Sequence, residues 1–413
     1  MKALVLAGGF PQIDLITKLR QRGIYTILAD YYQHPVAKDY ADCFYRISTL
    51  DVDAIRQLAK EEHVDFLITV CTDQALLTVA QVSEELGLPC YLDYKTARNV
   101  TNKAYMKQVF YDNDIPTARH MILDSCSVAG FEGWQFPIIV KPVDCNSSKG
   151  VRKVFCPAEL KQSISHAISL SRTKTAIIEE FMAGEELSID VYIENGIAHI
   201  LDITTSEKID SQDMFVIYRT WHSKKSNEAI KPDAQRIAQQ IADAFGIKDS
   251  PMLIQMIQTS DGLKVIEFSA RTGGGVKHLS IQRQTGFDIV SSVIDLTIGK
   301  KPKLVLNTPI WNYMIDEYIY CKPGVFSHLE GFNTLMQNNV LLDYYQFRCK
   351  GSIFDGIANS GDRVAGFSFA AQSLHELNEK HMCINHSISV CSEDGSDMMR
   401  HDISRPIQAI MQE

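Results

Sequence analysis

The 413-residue sequence predicts a mixed architecture, α/β in its first quarter and α+β beyond it. Three observations point there. Short apolar runs alternate with helical patterns over the first ninety-odd residues, hairpin turns and two-residue alternation take over after about residue 101, and a glycine-turn-rich segment follows residue 300. The expected domains are a Rossmann-like unit over 1–100, a central body over 101–300 with a mobile lid at roughly 118–180, and a small α+β domain over 301–413.

Ala3-Leu4-Val5-Leu6-Ala7 reads as a buried strand ending at Gly8-Gly9, and Ile13 to Arg22 as a helix stopped by Gly23. Tyr25 to Asp30 is a second strand, Asp53 to Glu62 a helix, Phe66 to Val70 a strand, and Gln74 to Leu86 a helix ended by Gly87. Such alternation builds right-handed βαβ units and a parallel sheet covered on both faces. Asn102 to Asp112 is helical. Pro137 to Lys141 and Val151 to Val154 are strands around a polar loop, and Glu186 to Ile193 alternates strictly before the hairpin signal Asn195-Gly196. Helices are expected at Lys161–Leu170 and Pro232–Phe245, a hairpin joins Met252–Thr259 to Leu263–Ser269 across Asp261-Gly262, and Ser373 to Lys380 is the helix of the third segment.

Composition narrows the function. The chain is 45% hydrophobic, and 41 lysines and arginines face 50 acids for a net charge of −9, so it lacks the basic surplus of a general nucleic-acid or anionic-membrane binder. No apolar run approaches the roughly 18 residues of a membrane span. The ten cysteines are scattered with no CxxC pair, which removes support for zinc or thioredoxin-like motifs and suggests free thiols in a reducing cytoplasm.

Gly8-Gly9 with Asp30 is half of a dinucleotide fingerprint, but Pro11 and Gln12 break GxGxxG, and a tight strand-to-helix turn explains it better than an NAD site. Lys141 ends an apolar strand, where a lysine either snorkels to solvent or meets an anion. The loop Asp144 to Gly150 after it offers hydroxyls, backbone N–H groups and Lys149, which suit phosphates. Glu179-Glu180-Phe181-Met182 reads as a connector, and Glu186, Ser188 and Asp190 share one strand face, which by itself is simply a solvated acidic face. Glu267 and Ser269 point the same way, Arg271 leads into Gly273-Gly274-Gly275, and the hairpin places Gln255 opposite Glu267 or one residue off. Hard oxygens of this kind suit magnesium, and an arginine beside a glycine loop suits a carboxylate or phosphoryl group. Trp221-His222-Ser223-Lys224-Lys225 reads as an exposed polar loop rather than a pocket wall.

In this order and spacing the pieces resemble the ATP-grasp superfamily, closest to its carboxylate–amine ligases, the group of L-amino-acid ligases and carbamoyl-phosphate-synthetase-like proteins. The resemblance covers most of the chain. It implies ATP and Mg2+ as cofactors, with Lys103 and Lys141 on the phosphates, Ser147, Ser148, Lys149 and Gly150 in the mobile loop over them, and Glu179, Glu180, Phe181 and Met182 as the adenine connector. It further implies Glu186 on the ribose, Glu267 with Gln255 and Ser269 at the metal, and Arg271 with Lys141 as catalytic residues. Gly273 to Gly275, Lys277 and His278 fall where the acceptor approaches. Two positions depart from the family pattern: Gln255 replaces a metal glutamate and Ser269 an asparagine, so weaker binding of at least one metal is expected.

The implied function is an ATP-dependent ligase joining a small-molecule carboxylate to an amine through an acyl phosphate; carboxylation with bicarbonate is a related option. The alternative is a nucleotide-binding sensor or partner subunit with a degenerate metal site. A cytoplasmic protein, with no nucleic-acid or membrane partner, is expected; many members are homodimers, and no residue here locates such an interface.

Overall fold

The first strands are buried because both faces of their sheet are covered: Ala3, Leu4, Val5 and Leu6 are completely inaccessible. In the computed structural model, which describes residues 1–125, 130–131, 133–145, 149–210 and 215–407, β1 (Lys2–Leu6), β2 (Tyr25–Asp30), β3 (Cys43–Arg46) and β4 (Phe66–Ile68) form a parallel sheet ordered β3-β2-β1-β4. Helices α1 (Phe10–Gln21) and α2 (Val52–Glu61) supply crossovers, and α3 (Asp73–Leu86) follows the last strand. The Gly8 N–H donates to Asp30 Oδ2 and the Tyr32 N–H to Oδ1, both at 2.7 Å, so the Asp30 carboxylate is already engaged by the turn.

Two short helices follow, α4 (Tyr94–Thr101) and α5 (Lys103–Asp112). Asn102 divides them by accepting from the Ala104 and Tyr105 N–H groups at 3.0 and 3.1 Å, an N-cap that fixes Lys103 as the first helical residue. A small antiparallel sheet ordered β5-β8-β6-β7 comes next, from β5 (His120–Leu123), β6 (Ile138–Pro142), β7 (Arg152–Val154) and β8 (Ala176–Glu180). Helix α6 (Pro157–Leu170) covers one face; it starts four residues before the expected Lys161 because Pro157 sits in its first turn, where a missing N–H costs nothing.

The backbone of the molecule is one eight-stranded sheet, ordered β13-β12-β9-β10-β11-β14-β18-β16. It uses β9 (Glu185–Glu194), β10 (Ile197–Lys208), β11 (Ile217–Ser223), β12 (Ser250–Thr259), β13 (Gly262–Ser269) and β14 (Tyr313–Ile319), then β16 (Asp343–Gln346) and β18 (Ala365–Ala371). Leu187, Ile189 and Val191 point from β9 into a core with Ile237 and Ile241 of α7 (Lys224–Phe245). Helix α7 begins eight residues before the expected Pro232: Ser223 caps it, and the proline lies inside it. Helices α8 (Lys277–Thr285) and α9 (Ile289–Thr297) return to the first sheet through Ile281, Ile289 and Val293. The remainder is β15 (Gly324–Glu330), α10 (Phe332–Gln337), β17 (Ile353–Phe354), α11 (Leu374–Ser387) and β19 (Ser389–Ser392), with β17-β15-β19 as a fourth sheet. Among the described residues no helix is long and apolar enough to cross a membrane.

Arg219 on β11 is wholly buried, donating to Glu317 Oε2 at 2.7 Å, Glu207 Oε2 at 3.3 Å and the Arg405 carbonyl at 2.9 Å. Burial opposes the Glu317 charge, but Arg219 outweighs it and holds that carboxyl down at about 2. The arginine thus pins the chain near residue 405 to the central sheet. Arg219→Leu strips the buried Glu317 carboxylate of its arginine, leaving His381 at 3.4 Å, and should lower the unfolding free energy by about 3–5 kcal/mol in urea titration.

Candidate active site

Between the small sheet and the end of the central sheet lies a cavity of about 760 Å3. Its charged wall starts with Lys103. That residue opens α5, where the helix dipole already favours negative charge, and its Nζ reaches Glu267 Oε2 on β13 at 3.1 Å and the Cys145 carbonyl at 2.9 Å. Lys141, near the end of β6, is 2.5 Å from Glu179 Oε2, and Lys107, one helical turn after Lys103, is 2.7 Å from Glu179 Oε1. The Lys107 contact lies off a hydrogen-bond direction, so it is an ion pair first.

Strand β8 runs through Glu180, and Glu179 is a buried anion clamped between two buried lysines. Burial alone raises its carboxyl pKa, but Lys107 and Lys141 overcome that and hold it down at about 2. The lysines respond differently. Burial lowers both, yet Lys141 ends up raised because Glu267 and Glu186 act on it as well as Glu179, whereas Lys107 stays lowered with Lys141 repelling it.

Glu180 faces Arg119 at 3.6 Å, and Phe181 lies under Lys153, whose Nζ is 3.6 Å from the ring centroid. Phe181 and Met182 with Ile139 and Ile257 make the cavity's apolar side. Glu186 pairs with Lys208 and stands 3.4 Å from Gln255 Nε2. Gln255 is directly opposite Glu267 in the β12–β13 ladder, the closer of the two expected registers. Gly184 joins β8 to β9 where a Cβ would lie 2.0 Å from the Gln258 carbonyl oxygen, so no side chain fits there. Lys149 and Gly150 border or adjoin the cavity; Ser147 and Ser148 lie outside the described residues.

Arg271 stands at the end of β13, with Nε 2.7 Å from Asp73 Oδ1 and Nη2 on Oδ2, while Nη1 donates to the Thr272 carbonyl at 2.8 Å. Asp73 opens α3 in the N-terminal unit, so this bidentate pair fixes the guanidinium from another sheet. Ser269 lies two residues past Glu267 on the same strand face and bonds the Asp73 carboxylate. Glu267, Gln255 and Ser269 present one carboxylate and two neutral oxygens. Burial would raise the Glu267 pKa, but Lys103 and Lys141 keep it lowered and ionised, so the donor set fits a hard cation shared with an anionic ligand.

Two expectations change. Trp221, His222 and Ser223 are not an exposed loop; they finish β11, with Trp221 on the cavity and His222 buried against Asp202 at 2.6 Å. Nor is the acidic face of β9 solvated: Ser188 and Asp190 are buried. His278 turns away from Lys277 toward Phe10, and burial lowers its pKa to about 3. Lys107, Asp73 and Lys208 carried no role in the sequence reading. For Lys107 a signal existed, since a lysine four residues after Lys103 shares its helix face.

Glu179→Gln removes the anion between two buried lysines and should cost about 3–5 kcal/mol in urea unfolding at pH 7. A carboxyl lowered from 4.5 to about 2 contributes fully above pH 4.5 and loses that contribution as pH falls towards 2. The native protein should therefore shed about 3 kcal/mol over that window that the glutamine variant does not.

Residues 134–279 match the ATP-grasp domain family. A phosphoribosylamine–glycine ligase of Lactococcus lactis is 26% identical over 276 residues, 62% of this chain and 65% of that protein. A formate-dependent phosphoribosylglycinamide formyltransferase of Sulfurisphaera tokodaii is 24% identical over 259 residues, 59% of this chain and 64% of its own. The matched stretch thus spans just under two thirds of these relatives' length. In three dimensions, an L-amino acid ligase from Bacillus licheniformis superposes with a TM-score of 0.77 at 18% identity, covering 95% of this chain and 98% of that one. A phosphoribosylglycinamide synthetase from Anaerococcus prevotii gives 0.75 at 17%, covering 95% and 99%. The chain carries an ATP-grasp domain, has homologues of the carboxylate–amine ligase type, and takes their fold.

Proposed function

We propose that the chain is an ATP-dependent carboxylate–amine ligase that forms an amide or peptide bond through an acyl phosphate and releases ADP and phosphate. The observation that carries this reading is the meeting of Lys103, Lys141 and Glu267 in one cavity that has an apolar side. In this reading the apolar side, with Phe181 and Met182, takes the adenine, the backbone at Glu179 and Glu180 meets its edge, and Glu186 takes the ribose. Lys103 and Lys141 grip the phosphates, with Lys149 and Gly150 at the cavity's edge beside them.

Phosphoryl transfer asks little covalent work of side chains; position and charge neutralisation carry it. A substrate carboxylate oxygen attacks the γ-phosphorus as its bond to the departing ADP oxygen breaks. The amine nitrogen then attacks the acyl carbon, phosphate leaves, and the nitrogen sheds a proton. Arg271, already oriented by Asp73, holds the carboxylate and steadies the negative charge of both steps. Glu267, with oxygens of Gln255 and Ser269, would hold Mg2+, which supplies charge neutralisation at the phosphates. The acids Lys103 and Lys141 now contact are their resting partners, and a triphosphate competes for both cations.

Substrates of amino-acid type follow the likeness to the L-amino acid ligase, and bicarbonate follows other neighbours of the fold, such as a biotin carboxylase domain from Hydrogenobacter thermophilus. A second reading, nucleotide binding without turnover, is favoured by the Gln255–Glu267 pairing, which leaves the metal position one carboxylate.

Incubation with Mg-ATP and pooled amino acids should give ADP above the level without them. Lys141→Ala should cut that rate about 100-fold or more, and near-native turnover in it would sink the assignment. Gln255→Glu separates the two readings: a gain of about tenfold or more would mark the native site as degenerate, and little change would support a working ligase.

A further inference from the structure

On the sheet face that carries Glu186, a run of buried polar side chains continues along β9 and β10. Alternation along β9 puts Asp190 on the same face as Glu186 and Ser188. Asp202 of β10 stands directly opposite Asp190 in the ladder, and Thr204 opposite Ser188. The glycine loop after Arg271 forms the roof: a Cβ on Gly273 would lie 2.7 Å from Asp190 Oδ1, whereas one on Gly274 would meet nothing within 4 Å. The carboxylate is covered, and the cover is thin.

Asp190 is 1% exposed, and among the described residues neither of its oxygens has a properly formed hydrogen bond. The Gly273 N–H faces it, and Lys277 Nζ stops 3.7 Å from Oδ2 while donating to Thr204. Asp202 is bound on one oxygen by His222 at 2.6 Å and is unpartnered on the other. Burial pushes the Asp190 carboxyl up to about 6, Lys277 and Arg271 pull it down, and Asp202 adds to the rise. A buried carboxylate in this state is costly unless a donor or cation completes it. Lys277 offsets one of the two facing carboxylates, and the remaining negative charge repels an anion such as bicarbonate and attracts a cation with several N–H donors.

We propose that Asp190 receives the ammonium group of the second substrate, a primary amine, and takes one of its protons, so that the neutral nitrogen turns its freed lone pair to the acyl carbon that Arg271 holds. The proposal rests on the ligase reading above, and it selects the amine over bicarbonate as the acceptor class.

The test separates acyl-phosphate formation from amine capture. Native protein and Asp190→Asn are given Mg-ATP and the twenty pooled amino acids, with and without hydroxylamine, a small neutral nucleophile that traps acyl phosphates as hydroxamates. Hydroxamate is read by colour, ADP by a coupled assay and dipeptide by mass spectrometry. The expected result is a dipeptide-to-hydroxamate ratio lower in Asp190→Asn by about tenfold to a hundredfold, with a raised KM for the amine and an unchanged or higher Tm. Asp190→Ser, which leaves room for a water, serves as the second variant should the asparagine protein not fold. Equal loss of both products with a lowered Tm would make Asp190 only an anchor for the glycine loop and overturn the proposal. So would a native dipeptide yield in both variants, or native hydroxamate without any dipeptide. Neither ADP nor hydroxamate from the native protein would instead strike down the ligase reading, and this inference with it.

Discussion

Glu179 sits between Lys107 and Lys141 with almost no contact with water, and the site is organised around that anion. It ties the first helix of the central body to two strands of the small sheet, because its two lysines come from α5 and β6 while it belongs to β8. Lys103, on the same helix face, then reaches the central sheet through Glu267. The pairs therefore set the spacing of the cavity walls as well as the charge inside them. Lysines gathered in a low-dielectric pocket repel one another, and acids between them let the pocket exist before a polyanion arrives.

The central sheet has two characters. One face is aliphatic and lies on α7; the other carries Glu186, Gln255, Glu267 and Ser269 at one end and Asp190, Asp202 and His222 further in. Arg271 stands between these groups, feeling both Glu267 and Asp73 and acting on Asp190. One guanidinium is thus placed between a lysine-rich environment and an acidic one, and in the ligase proposed above that is where the acyl group would be held.

What the sequence made legible follows from how local each signal is. The Asp261-Gly262 turn dictates its own ladder, so Gln255 beside Glu267 was readable from spacing, as was the division of β9 into two faces. The fate of the acidic face was not, because only tertiary packing decides whether an acidic stripe meets water. The Arg271–Asp73 pair spans 198 residues and no local pattern announces it. Trp221-His222-Ser223-Lys224-Lys225 resembles a loop in sequence because a strand end, a helix cap and a helix start run together as one mostly polar stretch. Strands β14, β16 and β18 extend the central sheet, a pairing equally hidden from a reading by adjacent segments.

Gly184 gives the architecture a fixed dimension. With 2.0 Å between the place of a missing Cβ and the Gln258 carbonyl, the link from the small sheet to the central one is a backbone-on-backbone contact. The height of the cavity at its apolar end is thereby set by peptide thickness and not by any side chain that selection could trim or enlarge. Any side chain placed there would have to push the small sheet outward and turn the cavity into a slot of different gauge with the same charges around its rim.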